Sequence, residues 1–438
     1  AHIPGPVTQA VADAAAKANM EQSDLFAKIG PEEEDVPQAN TPNLAWPDAP
    51  PSIPPALQNA IEIVTENDPA VVASWWRVRS AESTVRSARW QRFPSLTLDG
   101  NISGRDNWLL PSLTVDVPVW AGGRLDANRD RARFQALSAE SGWEEVVVDL
   151  ALLVTDTYYE IVLNAQLEQI YSESLAAHRE LVGTMERRVA QQISARADLQ
   201  LAESRTAQIE QELNLIRAQR EAAAEALAAL IRDPSYELGR APTFTKNILD
   251  QDWSDATAEA LEYSPTRARL ALEAASAEQD IRLARGSLFP QISAQYAYND
   301  VTGGRVGVGV RMETGNGLSR FAQIDTARAD YQTAQNQTRL FERQLRQEIA
   351  REVTTNQAAI TRTDISLEAA LTAAWVSGSY LRQFVAGRRS WLDVMNSLRE
   401  DLSAKAGLVQ AEVIAMSTNA RLHIRTGRWR PVRTSGDQ

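Results

Sequence analysis

Cysteine is absent from the 438 residues of this chain. Disulfides, thiolate metal sites and thiol nucleophiles are therefore excluded, and no cysteine of this sequence offers a lipid attachment point. Histidine is nearly as scarce: His2, His178 and His423 are scattered without ligand spacing. Positive charge is outnumbered, with 45 Lys and Arg against 57 Asp and Glu and a formal net charge of −12. A nucleic-acid binder needs a basic face, so that class is disfavoured. No apolar run reaches about 18 residues, which argues against a membrane-spanning helix. A β-barrel is then the one way this chain could cross a bilayer.

Residues 1–55 carry clusters of proline and acid. Pro31-Glu32-Glu33-Glu34-Asp35, Thr41-Pro42 and Pro50-Pro51-Ser52-Ile53-Pro54-Pro55 build neither a helix nor a packed core. They read as an extended, Pro- and acid-rich arm, or as a disordered tail.

What the rest of the chain has is a repeat. Asp68-Pro69, Ala81, Val85, Ala88-Arg89 and Phe93-Pro94 recur as Ser264-Pro265, Ala277, Ile281, Ala284-Arg285 and Phe289-Pro290, all 196 positions later. Arg187 and Asp198 recur as Arg382 and Asp393 at an offset of 195. So steady an offset marks two copies of one unit. The first spans 56–235 and the second 253–430, with a linker at 236–252 and a tail at 431–438. Pro234, Gly239 and Pro242 break the helices near the join.

Each copy has the same order of parts. A short helix leads to Asp68-Pro69 or Ser264-Pro265, where the first residue caps and proline takes the first helical position. A helix of about six turns follows and Phe-Pro ends it. Two strands come next, about 94–103 and 111–120 in the first copy and 290–300 and 304–313 in the second. Leu96, Leu98 and Ile102 alternate with polar residues, as do Leu113, Val115, Val117 and Val119. The pattern recurs in Ile292, Ala294, Tyr296 and Tyr298, and in Val306, Val308, Val310 and Met312. Period-two alternation makes each strand apolar on one face. Strands of about 10 residues suit a tilted bilayer crossing, and Phe93, Trp108, Trp120 and Phe289 stand at strand ends, where an aromatic girdle belongs. Four strands do not close a barrel alone. The pattern therefore requires strands from several chains, or else describes a small soluble sheet on helices.

Long heptad patterns fill the remainder. Trp143, Val147, Leu150, Val154, Thr157 and Ile161 step by fours and threes. Val353, Ile360, Leu367, Ala374 and Leu381 fall at sevens with Leu371 and Gly378 beside them, and so do Met395, Leu402, Val409 and Met416 with Leu398. Sustained sevens indicate coiled-coil packing. Between the two long helices of the second copy lies Arg382-Gln383-Phe384-Val385-Ala386-Gly387-Arg388-Arg389-Ser390-Trp391-Leu392-Asp393, the tip of a helical hairpin near 384–393. The first copy has its tip near 190–198.

The tip, the duplicated unit, the Ala-Arg then Phe-Pro helix endings and Gly122-Gly123-Arg124 after the second strand together resemble the TolC family of outer-membrane efflux and type I secretion channels. The resemblance covers about Pro55 to Trp429. It implies an α+β membrane protein: a homotrimer whose four strands per chain close a 12-strand outer-membrane barrel, continuing into a coiled-coil helical tunnel in the periplasm of a Gram-negative bacterium. It implies a passive exit duct, not an enzyme and without cofactors, served by a periplasmic membrane-fusion adaptor and an inner-membrane ABC or RND transporter, with outer-membrane lipid around the barrel. By the same resemblance Asp393 forms the constriction at the tunnel mouth and Arg389 belongs to the gate. Asn396 stands where the family has a second aspartate ring. Phe384 stands where it has a latch tyrosine, so the hydroxyl bond is lost. Val385, Ala386, Gly387 and Arg388, with Val189, Gln191, Gln192 and Asp198 of the first tip, fall at the adaptor-docking surface. The tip and the ending Arg421-Leu422-His423-Ile424-Arg425-Thr426-Gly427-Arg428-Trp429 look most like members that secrete large adhesins, with drug efflux the alternative.

On the residues alone, Asp393 and Asp198 are also accounted for as helix-start carboxylates, Arg388-Arg389 as a solvated loop and Gly387 as a turn. A soluble coiled-coil scaffold or adaptor remains the alternative of another class. Gly303 to Gly309 lacks the strand-then-helix frame of a phosphate-binding loop.

Overall fold

The computed structural model describes residues 44–103, 108–233, 241–249, 251–299, 303–312 and 319–433, with the side chains of 100–103, 108–111 and 299 outside that description. The first copy runs α1 (Pro55–Asn67), α2 (Pro69–Trp90), β2 (Ser95–Ser103), β3 (Trp108–Trp120), α3 (Arg124–Ala190) and α4 (Arg196–Ile231). After a one-turn helix, α5 (Lys246–Leu249), the second runs α6 (Ala256–Tyr263), α7 (Pro265–Gly286), β4 (Gln291–Asn299), β5 (Gly303–Arg311), α8 (Ser319–Val385) and α9 (Trp391–Arg425). Two short strands, β1 (Leu44–Ala45) and β6 (Val432–Arg433), pair antiparallel and join the two ends of the described chain. Of the N-terminal arm, residues 1–43 lie outside the described residues.

The start of each six-turn helix is built the same way. The Asp68 carboxylate accepts from the Ala70 N–H at 2.7 Å, and the Ser264 hydroxyl accepts from the Arg267 N–H at 3.3 Å. Each is followed by proline, whose fixed φ and missing N–H suit the first helical turn.

The four strands form one antiparallel sheet in chain order, β2-β3-β4-β5. Register sorts the side chains by face. Leu96, Val115, Tyr296 and Val306 stand in one row across the sheet, and Val117, Ala294 and Val308 in another. Leu96 is 70% exposed, Val306 86% and Val308 75%. The row between them, Ser95, Asp116, Gln295 and Gly307, belongs to the opposite, polar face, where the Gln295 amide donates to Asp116 at 2.8 Å. An apolar face turned to solvent and two unpaired edges, β2 and β5, are both costly in water.

Helices α3 and α8 are each 67 residues long, roughly 100 Å at 1.5 Å per residue. Neither they nor any other described helix is long and apolar enough to cross a membrane. The main core sits around their middle, where α1 and the buried end of α9 pack on α3; Leu57, Ile61, Trp143, Tyr158 and Ile424 are all at most 1% exposed. The segment before α1 completes it. Trp46 packs on Trp429 with ring centres 4.7 Å apart and donates to the Thr65 hydroxyl at 3.0 Å. Trp429 in turn donates to the Pro47 carbonyl at 3.0 Å.

One expectation about the helices needs correcting. The sevens through Val353, Ile360, Leu367, Ala374 and Leu381 suggest the seam that α8 buries. The face buried within the chain keeps Ile360 of that seam, 7% exposed, but runs mainly through Ile349, Glu352, Asn356, Ala359, Thr363, Ala370, Ser377 and Phe384, while Leu367 and Leu371 are 48% and 65% exposed. The polar residues of this stripe reach across to α9: the Asn356 amide donates to the Ala415 carbonyl and the Thr418 hydroxyl, each at 3.0 Å. On α9 the sevens are buried as expected, with Met395 1%, Leu402 7% and Met416 4% exposed.

Candidate functional site

Both hairpin tips turn on a residue with left-handed backbone. In the second tip it is Gly387, with φ 73°; in the first it is Gln192, with φ 61°. The two positions are related by the repeat offset of 195. Behind each, backbone N–H groups close the helix end: Arg388 N–H to the Gln383 carbonyl at 2.8 Å, and Ile193 N–H to the Arg188 carbonyl at 2.8 Å. These are the wrap-back bonds that satisfy orphan carbonyls at a helix C-terminus. Ser390 then caps α9, its hydroxyl accepting from the Asp393 N–H at 3.2 Å.

The expected gate residues separate into two layers. Asp393 lies in the first turn of α9 with its side chain 44% exposed, 3.8 Å from the Arg389 guanidinium. Arg389 is otherwise occupied: it donates to the Gln383 side chain at 3.3 Å and lies 4.2 Å from the centre of the Tyr380 ring. Asn396, one turn on, is exposed and its carbonyl accepts from Arg205 of α4 at 3.1 Å. Phe384 does not sit in this exposed layer. It is 3% exposed, in a cluster with Leu181, Met185, Ala202, Val394, Met395 and Leu398 that joins both hairpins.

The expected docking residues Val385, Ala386, Gly387, Arg388, Gln191 and Gln192 are exposed, and Val189 and Asp198 are half-buried. Val385 is 76% exposed, and beside it in kind stands Ile193, 58% exposed, which pattern reading passed over. Arg188 was also passed over; its guanidinium lies 5.2 Å from the centre of the Phe384 ring. Neither Arg188 nor Arg205 carries a sequence signal, since their repeat counterparts are Gln383 and Glu400. Their partners come from the other hairpin and are visible only in three dimensions.

At the far end of the helices the aromatics cluster. Trp120 and Phe289 have ring centres 6.0 Å apart, and Trp90, 72% exposed, lies 6.4 Å from Phe93. Trp108 opens β3, but its side chain lies outside the described residues. Among the described residues no group of His, Asp and Glu is arranged to hold a metal ion.

Residues 60–231 match the family model described as outer membrane efflux protein. That match falls within the first repeat. The second repeats its architecture element by element. No curated protein matches the whole sequence significantly. Among solved structures, the outer-membrane channel OprN superposes with a TM-score of 0.76 at 18% identity, covering 85% of this chain and 90% of that one. The outer membrane protein VceC of Vibrio cholerae gives 0.74 at 20% identity, covering 85% and 96%. CusC, described in terms of folding and transmembrane channel formation, gives 0.73 at 17%, covering 85% and 92%. At these identities the likeness is one of fold. The chain thus shares the fold of these outer-membrane channel structures.

Proposed function

We propose that this chain is one protomer of a homotrimeric outer-membrane exit duct, passing substrate from an inner-membrane transporter and a periplasmic adaptor to the exterior. One observation carries the reading. A four-strand sheet with an apolar outer face and two open edges continues directly into two helical hairpins, each pairing a 67-residue helix with one of 36 or 35 residues. Three copies would pair every β5 edge with a neighbouring β2 edge and leave none open. The exposed apolar stripe of Leu367, Leu371 and Trp375 on α8, the last 70% exposed, offers the matching seam between copies in the tunnel wall.

In this reading three Asp393 carboxylates face one another at the periplasmic mouth, and their summed field favours cations over anions. Arg389 sets their spacing, and the adaptor meets the exposed tips at Val385 to Arg388 and Val189 to Asp198. The Phe93, Trp120 and Phe289 rings lie at the membrane interface, joined by Trp90. The cargo reading is secretion of protein in type I fashion. It is supported by the likeness of Arg382 to Glu400 and of the ending Arg421 to Trp429 to the adhesin-secreting branch.

Conductance in planar bilayers tests the duct. Detergent-purified wild type should give a small cation-favouring current, and Asp393→Ala should lose that preference or enlarge the current. A protein that stays soluble without detergent and forms no channels would return the scaffold reading. Cargo is tested in the native host by deleting the gene and comparing secreted protein with drug susceptibility.

A further inference from the structure

The register inside the sheet fixes what each open edge can meet. On the first hairpin Ser95 stands opposite Asp116 and Ser103 opposite Trp108. On the second, Gln291 stands opposite Arg311 and Asn299 opposite Gly303. The leading strand of one hairpin therefore maps onto that of the other at an offset of 196, and the returning strand at 195. The two hairpins meet at β3 and β4, with Asp116 opposite Gln295 and Val117 opposite Ala294.

A second copy placed beside β5 presents its β2, the counterpart of β4. Carried over by the two offsets, the β3–β4 register sets Arg311 opposite Asp99 of the second copy and Met312 opposite its Leu98. Both pairs match chemically. Arg311 and Asp99 are exposed and opposite in sign. Met312 is 61% exposed and Leu98 72%. The faces agree as well. Asp99 shares the polar face with Ser95, and Arg311 shares it with Gln291 and Gln295, while Leu98 and Met312 lie on the apolar face. A slip of one residue would set Arg311 against Leu98 or Gly100 and reverse the faces. A slip of two would set it against Thr97 or Asn101, neither of which is charged. Within the chain the equivalent position already holds a bonded pair, the Gln295 amide donating to the Asp116 carboxylate at 2.8 Å.

We propose that copies of this chain join by pairing β5 with the β2 of a second copy in this one register, locked by an ion pair between Arg311 and Asp99 of the second copy. Opposite charges directly across antiparallel strands attract, and like charges in the same place repel. The pair is the seam's equivalent of Asp116 with Gln295. One level of the polar face thus carries a cross-strand polar contact at every joint between hairpins. The proposal deepens the exit-duct reading and rests on its three-copy barrel.

Because the chain has no cysteine, introduced pairs read the register directly. Residues directly opposite have Cβ atoms about 4.5–5.5 Å apart and diagonal neighbours stand about 7–8 Å apart. Only the former come near the roughly 4 Å that a disulfide spans. Strands β2 and β5 are opposite edges of one sheet, so a bond between them joins two copies. The full-length chain in detergent with Arg311→Cys and Asp99→Cys should oxidise to a covalent trimer on denaturing gels and return to monomer with reductant. Arg311→Cys with Thr97→Cys should stay monomeric on the same gels. Equal cross-linking in the second pair would overturn the register. So would no cross-linking in the first while light scattering still shows three copies, and the duct would then stand. A chain that is monomeric by light scattering and carries no current would remove duct and seam together. The ion pair has its own test. Arg311→Asp and Asp99→Arg should each lower the temperature at which the trimer dissociates, and the two together should restore it. A double variant no better than the single ones would overturn the lock.

Discussion

The Arg188 guanidinium lies 5.2 Å from the centre of the Phe384 ring, so the first hairpin covers the one aromatic ring that the second buries at its tip. A hydroxyl-free ring in this place is held by packing and by the cation above it. Phe384→Ala should therefore cost about 3–5 kcal/mol of local stability, as large core truncations do. Arg188→Ala should cost about 0.5–1 kcal/mol, the range for a partly exposed cation–π contact. In bilayers the first variant should open the mouth persistently and the second only raise the frequency of opening. Equal effects would mean that the ring contributes little beyond the cation.

The two tips make a matched pair for backbone strain. A Cβ placed on Gly387 meets nothing within 4 Å, so Gly387→Ala should cost only the left-handed penalty, about 1–2 kcal/mol. Gln192 already bears that penalty at φ 61°. Gln192→Gly relieves it but loosens the unfolded chain by about 0.4–1 kcal/mol, so the net change should be a gain of between zero and about 1.5 kcal/mol. Hydrogen exchange at the Arg388 and Ile193 amides reads both variants directly. Protection should fall in Gly387→Ala and hold or rise in Gln192→Gly.

Much of this was legible in the sequence, and what was not has a common cause. Caps at Asp68 and Ser264 and alternation at Leu96 and Val306 are local signals, and local geometry obeys them. The α8 seam is only partly the buried one, because that helix carries two stripes. The more apolar stripe is buried at Ile360 but exposed in a single chain at Leu367 and Leu371, while the other is buried and carries polar side chains such as Asn356 that look like a solvated face. Trp46 on Trp429, Arg188 on Phe384 and the bare approach of Gly122 to Gly286 all join residues far apart in the chain. A pattern along one segment holds no trace of them.

Halfway up the helices, Glu352 of α8 is the hub of a charged clasp. Its side chain is 11% exposed and lies 3.2 Å from Arg421 and 3.4 Å from Arg425, both of α9. Arg421 also reaches Asp156 of α3 at 2.7 Å, tying three helices. Burial raises the carboxyl's pKa while the two arginines lower it. Arg421→Met leaves Glu352 buried with half its compensation and should cost about 3 kcal/mol, the low end for breaking a buried pair. Arg421→Met with Glu352→Met should recover most of it. If the double variant is no more stable than the single in thermal melts, the clasp is not an interacting unit.

Acid should loosen the region where the two chain ends meet, through His423. The imidazole is 4% exposed, with Ser52 3.4 Å from Nε2 and the Trp253 ring edge-on at 5.1 Å. Burial is the chief cause of a pKa lowered from 6.5 to about 4; Arg428 lowers it further and Glu259 partly opposes. The folded state thus holds the ring neutral, while the unfolded chain takes up a proton near pH 6.5. Between about pH 6.5 and 4 the unfolded state binds more protons, so stability falls as pH falls through that window and levels off below it. The loss reaches about 3 kcal/mol at most, at 1.36 kcal/mol per pKa unit. Melting temperature should drop more between pH 7 and 5 in wild type than in His423→Gln, which keeps a side chain able to bond Ser52 but does not titrate. Identical slopes in the two proteins would mean that His423 is solvated or protonated in the folded state, and that the acid sensitivity lies elsewhere.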